Sequence, residues 1–211
     1  MNEFAVDIQQ LIQSRLTTLP KRLGHPGPSA KHLYALFKAA SAAPDHEQIQ
    51  PWRYVVVPPS CRQHLAEIFG QALTDRDPEA TGEQVAQARE KAFRAPFLLL
   101  VVVDSAKGDP SVDIGERLIA TGCAIQNMLI LATAMGFGSG LTSGKALDSS
   151  VLRERFGLKA CERAVCFISM GTVTSIKAPK SRREPHEFVS TWNGVPGSCT
   201  HYLPDISDAN F

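Results

Sequence analysis

The sequence predicts one α+β domain, on three observations. Segments with apolar residues at helical spacing alternate with short runs rich in β-branched residues. One of those runs, Ala95 to Asp104, is almost uniformly apolar, which suits a strand buried on both faces at the middle of a sheet. At 211 residues, with 44% apolar and 20% charged residues, the chain is long enough for one substantial core and has the profile of a globular protein.

The elements follow in order. Val6, Ile8, Leu11, Ile12 and Leu16 form the apolar face of a first helix that runs into Arg15-Leu16-Thr17-Thr18. A loop rich in proline and glycine, Leu19 to Pro28, leads to Ser29, which is placed to cap a helix over Ala30 to Ala42. Arg53 to Val57 is a strand, ended by Pro58-Pro59-Ser60. Leu65, Ile68, Phe69 and Leu73 mark a helix, Asp75 to Gly82 is a polar segment expected to be mobile, and Glu83 to Phe93 is a charged helix with a solvated face. Asp113 to Met135 is the longest helical pattern and is apolar nearly all round, so it belongs either at the centre of a core or at a subunit interface. Gly136-Phe137-Gly138-Ser139-Gly140 ends that helix and precedes a strand-like stretch, Ser139 to Ser143, the reverse of a dinucleotide-binding glycine loop; Gly136 suits a left-handed helix cap. Ser149-Ser150 caps a short helix, Val151 to Phe156, closed by Gly157, and Ala164 to Gly171 is a further strand.

Ala43 to Trp52 reads Ala-Pro-Asp-His-Glu-Gln-Ile-Gln-Pro-Trp: a helix exit, a polar loop and a strand entry in ten residues. Pro44 and Pro51 restrict the chain at both ends, so Asp45, His46, Gln48 and Gln50 lose less entropy when ordered. Two readings stand, a binding loop and a well-made surface turn with a tryptophan lid. Arg15 likewise reads as a phosphate contact with Thr17 or as an ordinary helix-end residue. The basic cluster Lys177, Lys180, Arg182, Arg183 reads as an anion site or as a solvated loop.

A formal charge of +1 excludes a nucleic-acid footprint. No run is long enough to span a membrane, and Met1 to Gln10 lacks a basic region typical of a signal peptide. Five scattered cysteines without Cys-x-x-Cys predict a reduced, cytoplasmic chain with mostly buried thiols. The six histidines show no metal-ligand spacing, so no metal site is expected.

Ala-Pro-x-His-x-x-x-Gln-Pro-Trp, between an amphipathic helix and a hydrophobic strand, resembles the signature loop of the FMN-dependent nitroreductase family, in its subgroup of small bacterial NAD(P)H nitroreductases. The resemblance continues in Arg15 and Thr17, in Ser143-Gly144, in Gly171-Thr172, in Lys180-Ser181-Arg182 and in Glu187-Phe188-Val189 with Trp192. It implies a central, mainly antiparallel sheet flanked by helices, over residues 1–211, in an intertwined homodimer. It implies that Arg15, Thr17, Lys180 and Arg182 hold the FMN phosphate. Pro44, Asp45, His46 and Gln48 would come from the partner subunit to face the flavin, and Leu141, Thr142 and Ser143 would pass beside its ring. The chain departs from the family at Leu16 and Ala42, where relatives carry arginine, and at Leu141-Thr142, where they carry Trp-Arg. The tail, 193–211, has no counterpart and is expected to wrap the partner or stay disordered.

The expected activity is NAD(P)H-dependent reduction of nitroaromatic, quinone or similar small acceptors by ping-pong hydride transfer. No nucleophile or acid-base motif is present to suggest other chemistry. The alternatives are a flavin-dependent dehydrogenase or oxidase of a small metabolite or peptide heterocycle, and a dimeric binding protein that has lost its flavin.

Overall fold

The computed structural model describes residues 2–176, 181–192, 194 and 199–201. They fall into two compact units, Ile8–Ile176 and the described residues of Met1–Asp7 with Lys177–Phe211.

The larger unit is built on strand β3 (Phe97–Asp104), seven of whose eight residues are buried. Side chains alternate across a strand, so a uniformly apolar run must meet two cores. On one face Phe97, Leu99 and Val101 pack with α2 (Ala30–Ala40) and α5 (Ile114–Ala134). On the other, Leu98, Leu100 and Val102 pack with α3 (Arg62–Arg76) and α6 (Ser150–Arg155). The result is a three-layer arrangement.

Strand β2 (Trp52–Val56) pairs antiparallel with one edge of β3, and β5 (Glu162–Val173) with the other. A register shift at Val101/Val102 leaves Val165 without a partner on β3. Ile168 lies opposite both Leu99 of β3 and Leu141 of β4 (Gly138–Thr142), so β4 occupies the outer edge of β5. The two-residue β1 (Leu23–Gly24) pairs with the end of β5 at Val173 and Thr172. All of these pairings are antiparallel, as the family resemblance implies.

Local signals act as the sequence indicates. Ser29 caps α2 by accepting from the His32 amide while His32 Nδ1 accepts from the Ser29 amide. Asp113 caps α5, Gly136 closes it at φ 81°, and Ser149 caps α6.

The structure sharpens the sequence reading at two places and corrects it at a third. Asp75 to Gly82 holds a turn at Asp77–Ala80 between the end of α3 at Arg76 and a reciprocal cap formed by Thr81 and Gln84 for α4 (Gly82–Glu90), which packs back on α3. Within one chain α5 buries the face through Ala120, Ala124, Ile125, Met128, Leu129 and Ala132 in the core and leaves Leu118 and Ile119 exposed. By length and composition α5 is able to cross a bilayer, yet eight of its residues are buried within this unit. Finally, of the four cysteines whose side chains are described, all free, only Cys166 is buried; Cys123 and Cys161 are half-buried and Cys61 is exposed.

In the smaller unit β6 (Ser190–Trp192) pairs antiparallel with β7 (Cys199–His201), preceded by a short turn at Pro185–Glu187. The stretch expected to be a tail without counterpart therefore contains one strand of a hairpin.

Candidate active site

The segment after α1 (Glu3–Ser14) returns along the outer edge of the sheet. Thr17 forms a parallel bridge with Ser139, and the Thr18 amide donates to the Ser139 carbonyl at 2.8 Å. This approach depends on Gly140, because a Cβ there would collide with the Thr18 carbonyl. Exposed Thr17 consequently lies beside the start of β4, with half-buried Arg15 two residues before it, while Leu141, Thr142 and Ser143 at the other end of β4 are all exposed. The Arg15 guanidinium reaches the Thr17 hydroxyl at 3.5 Å. A cation, several hydroxyls and a loop emerging from a sheet edge make a donor set suited to a phosphorylated, anionic ligand.

The loop between α2 and β2 lies elsewhere. Trp52 begins β2 opposite Val103, whereas Ser139 lies opposite Met170, which itself faces Phe97. Six residues along and three strands across separate Ser139 from Trp52, about 25 Å at ordinary strand spacings, whereas Thr142, level with Leu100, is three residues nearer, about 18 Å away. The structure thus places Arg15, Thr17, Leu141, Thr142 and Ser143 along one edge of the sheet, and Pro44, Asp45, His46 and Gln48 in the loop that enters the strand at the other edge. Arg182 is exposed and belongs to the smaller unit, and Lys180 lies outside the described residues.

The corner loop is conformationally costly. Glu47, Gln48 and Gln50 adopt positive φ values of 51°, 56° and 45°, three residues other than glycine in the left-handed region, with right-handed Ile49 between the last two. Asp45 closes it: its Oδ2 accepts from the Gln50 amide at 2.6 Å, while Oδ1 is buried without a partner among the described residues. Asp45 is therefore a loop clamp with one oxygen left over. His46 and Gln48 remain exposed. Trp52 is not a lid, since it is 3% exposed and packs in the core beneath the loop.

Two charged groups that the sequence reading passed over hold this corner. Arg53 makes a two-pronged ion pair with Glu162 of β5, at 2.6 and 3.0 Å, fixing the start of β2. The Arg53 guanidinium, helped by the Lys159 amide, holds the Glu162 carboxyl down at about 2 against the opposing effect of burial. Arg117, 1% exposed on α5, donates to the carbonyls of Val112, Asp104, Lys107 and Asp109. An arginine in the first turns of an apolar helix gives no sign in sequence that a loop will fold over it. Asp109 is itself held below its ordinary range by hydrogen bonds from Ser111, with smaller contributions from nearby His46 and from Arg117.

A cleft of about 470 Å³ between β2, α3 and α6, bordered by Val55, Val57, Cys61, His64, Ile68 and Phe156, contains none of the residues expected to bind a cofactor. The same holds for a smaller cavity beside Cys161 and Glu162. The site residues instead form open half-sites.

The chain and its fold have counterparts among known proteins. Residues 23–172 match the nitroreductase family. The chain is 30% identical over 190 residues to the protein named "Putative NAD(P)H nitroreductase YdjA" from Escherichia coli K12, a match covering 88% of this chain and 99% of that one. It is 32% identical over 155 residues to a similarly named protein of Haemophilus influenzae, covering 72% and 82%. Among solved structures, a nitroreductase-like family protein from Bacillus cereus superposes with a TM-score of 0.74 at 21% identity, covering 89% of this chain and 96% of that one. The FMN-dependent nitroreductase NfnB from Mycobacterium smegmatis, solved in complex with NADPH, gives 0.69 at 16% identity, covering 89% and 98%. The chain belongs to the nitroreductase family.

Proposed function

We propose that this protein is an FMN-dependent oxidoreductase that uses NADH or NADPH to reduce small electron-poor acceptors such as nitroaromatics or quinones. The carrying observation is the bridge that brings Thr17, with Arg15 two residues before it, against the start of β4, so that a cation and a hydroxyl share one sheet edge with the exposed Leu141 and Thr142 at the other end of the strand. The FMN-dependent relative NfnB and an FMN-bound nitroreductase from Desulfovibrio desulfuricans support the choice of cofactor. Bound FMN would take a hydride from NAD(P)H and pass it to the acceptor in a ping-pong exchange.

In this reading Arg15 and Thr17 hold the phosphate, joined by Lys180 and Arg182. Leu141, Thr142 and Ser143 line the ring. Leu141, half exposed, offers an apolar floor smaller than the tryptophan of relatives, and Thr142 a neutral hydroxyl in place of an arginine, so acceptor choice should shift toward less charged molecules.

Pro44, His46 and Gln48 complete the site from a second copy of the chain. The placement of the two groups on opposite edges of the sheet, three strand spacings apart, supports this. The exposed Leu118 and Ile119 on α5 supply an apolar surface for such a contact. No nucleic acid or membrane partner is proposed.

The test is direct. Purified protein, or protein incubated with FMN, should be yellow, and NAD(P)H should bleach it until a nitroaromatic or quinone restores the colour. A protein that stays colourless after incubation overturns the reading.

A further inference from the structure

We propose that Lys107 and Arg117 are positioning residues that hold the 44–51 loop in its left-handed form, so that the half-site carrying His46 and Gln48 is shaped before any ligand arrives. The proposal rests on the reading of that loop as part of an FMN site and adds the device that sets its conformation.

Three consecutive features argue for it. Left-handed backbone at Glu47, Gln48 and Gln50 opposes the ordinary preference of each residue, so the loop needs outside contacts to persist. Its internal hydrogen bonds are few: the Gln48 amide to the Asp45 carbonyl, the Ile49 amide to the His46 carbonyl, both at 3.2 Å, and the Gln50 amide to Asp45 Oδ2. The outside contact comes from the loop between β3 and α5. Lys107 Nζ donates to the Gln50 carbonyl at 2.8 Å, and Gly108 lies directly against the Ile49 side chain.

Lys107 is in turn anchored. Its own carbonyl accepts from Arg117 Nη1 at 2.6 Å, and the same guanidinium gathers the carbonyls of Asp104, Asp109 and Val112. A buried guanidinium surrounded by neutral carbonyls gains its compensation only if all of them converge. The chain of contacts therefore runs from a fixed point in α5, through Lys107, to the Gln50 backbone. Arg117 touches no proposed ligand position and acts only through the loops.

The experiment uses the full-length protein carrying Lys107→Met, with Lys107→Arg as the conservative variant. Hydrogen exchange at the Gln48, Ile49 and Gln50 amides is measured in flavin-free protein, and FMN affinity by fluorescence titration. Lys107→Met should raise exchange at those three amides and weaken FMN binding by about tenfold, as expected for loss of one hydrogen bond from a charged group. Exchange at Val101 in the central strand should not change, and Lys107→Arg should restore both readouts. Wild-type exchange at the loop amides in Lys107→Met overturns the proposal, as does faster exchange with unaltered FMN affinity. If the unaltered protein binds no FMN, the functional reading fails separately, and loop exchange alone still decides whether Lys107 braces the loop.

Discussion

Glu162 carries the clearest pH signature in the molecule. Its folded value of about 2 lies below the ordinary 4.5, so the stabilisation it contributes is complete above pH 4.5 and is lost as the pH falls toward 2. Glu162→Gln should flatten that acid limb in urea unfolding measured between pH 7 and pH 2.5. At pH 7 it should cost about 1.5 to 3 kcal/mol, because Arg53 loses a charged partner. Arg15→Ala tests the anionic edge: FMN should bind about tenfold more weakly with little change in thermal stability, the expected loss for one charged hydrogen bond. Thiol reactivity follows burial. Cys61 should label first in the folded protein, while Cys166, whose thiol is pushed up to about 11 by burial, should label only on unfolding, as mass spectrometry after timed alkylation will read. The types of these residues are visible in sequence, but their roles are not, since Arg53 meets Glu162 across more than a hundred residues of chain.

Individual elements were legible wherever a local rule governs them. Caps at Ser29 and Ser149, the left-handed close at Gly136 and the two-sided burial of β3 all follow from short-range chemistry. The glycine run 136–140 was correctly separated from a dinucleotide loop for the same reason, since it leaves a helix and enters a strand. Failures came where packing chose among locally equal options. Polar composition over Asp75 to Gly82 does not reveal that Thr81 will cap a helix folded against α3. Gly140 gives a sharp test at this level: Gly140→Ala places a methyl group against the Thr18 carbonyl and should cost about 1 to 3 kcal/mol in denaturant unfolding, the range of forced backbone strain. Because it displaces Arg15 and Thr17 as well, FMN affinity should fall with it.

At the level of the assembled protein, α5 and the divided site point the same way. A long helix with Leu118 and Ile119 open on one side, and site residues divided between the two edges of the sheet, suit the second copy proposed above. Ile119, 69% exposed, should tolerate Ile119→Asp in the folded chain while weakening self-association. Light scattering should then report a shift from dimer to monomer accompanied by loss of bound flavin. A dimer unchanged in mass by this substitution would remove α5 from the proposed contact.

Periodicity, caps and the uniform apolarity of Phe97–Asp104 mark most helices and strands and the buried central strand, because those features depend on neighbours within a few residues or on which faces must leave water; the antiparallel pairing was expected only from the family resemblance. The Ala-Pro-x-His-x-x-x-Gln-Pro-Trp stretch likewise marks the family in one dimension. What folding adds is adjacency at long range: Thr17 against Ser139, Arg53 against Glu162, and Arg117 drawing four carbonyls under a strained loop. Backbone carbonyls look alike at every position in a sequence, so only the three-dimensional path of the chain selects which ones a buried guanidinium will gather.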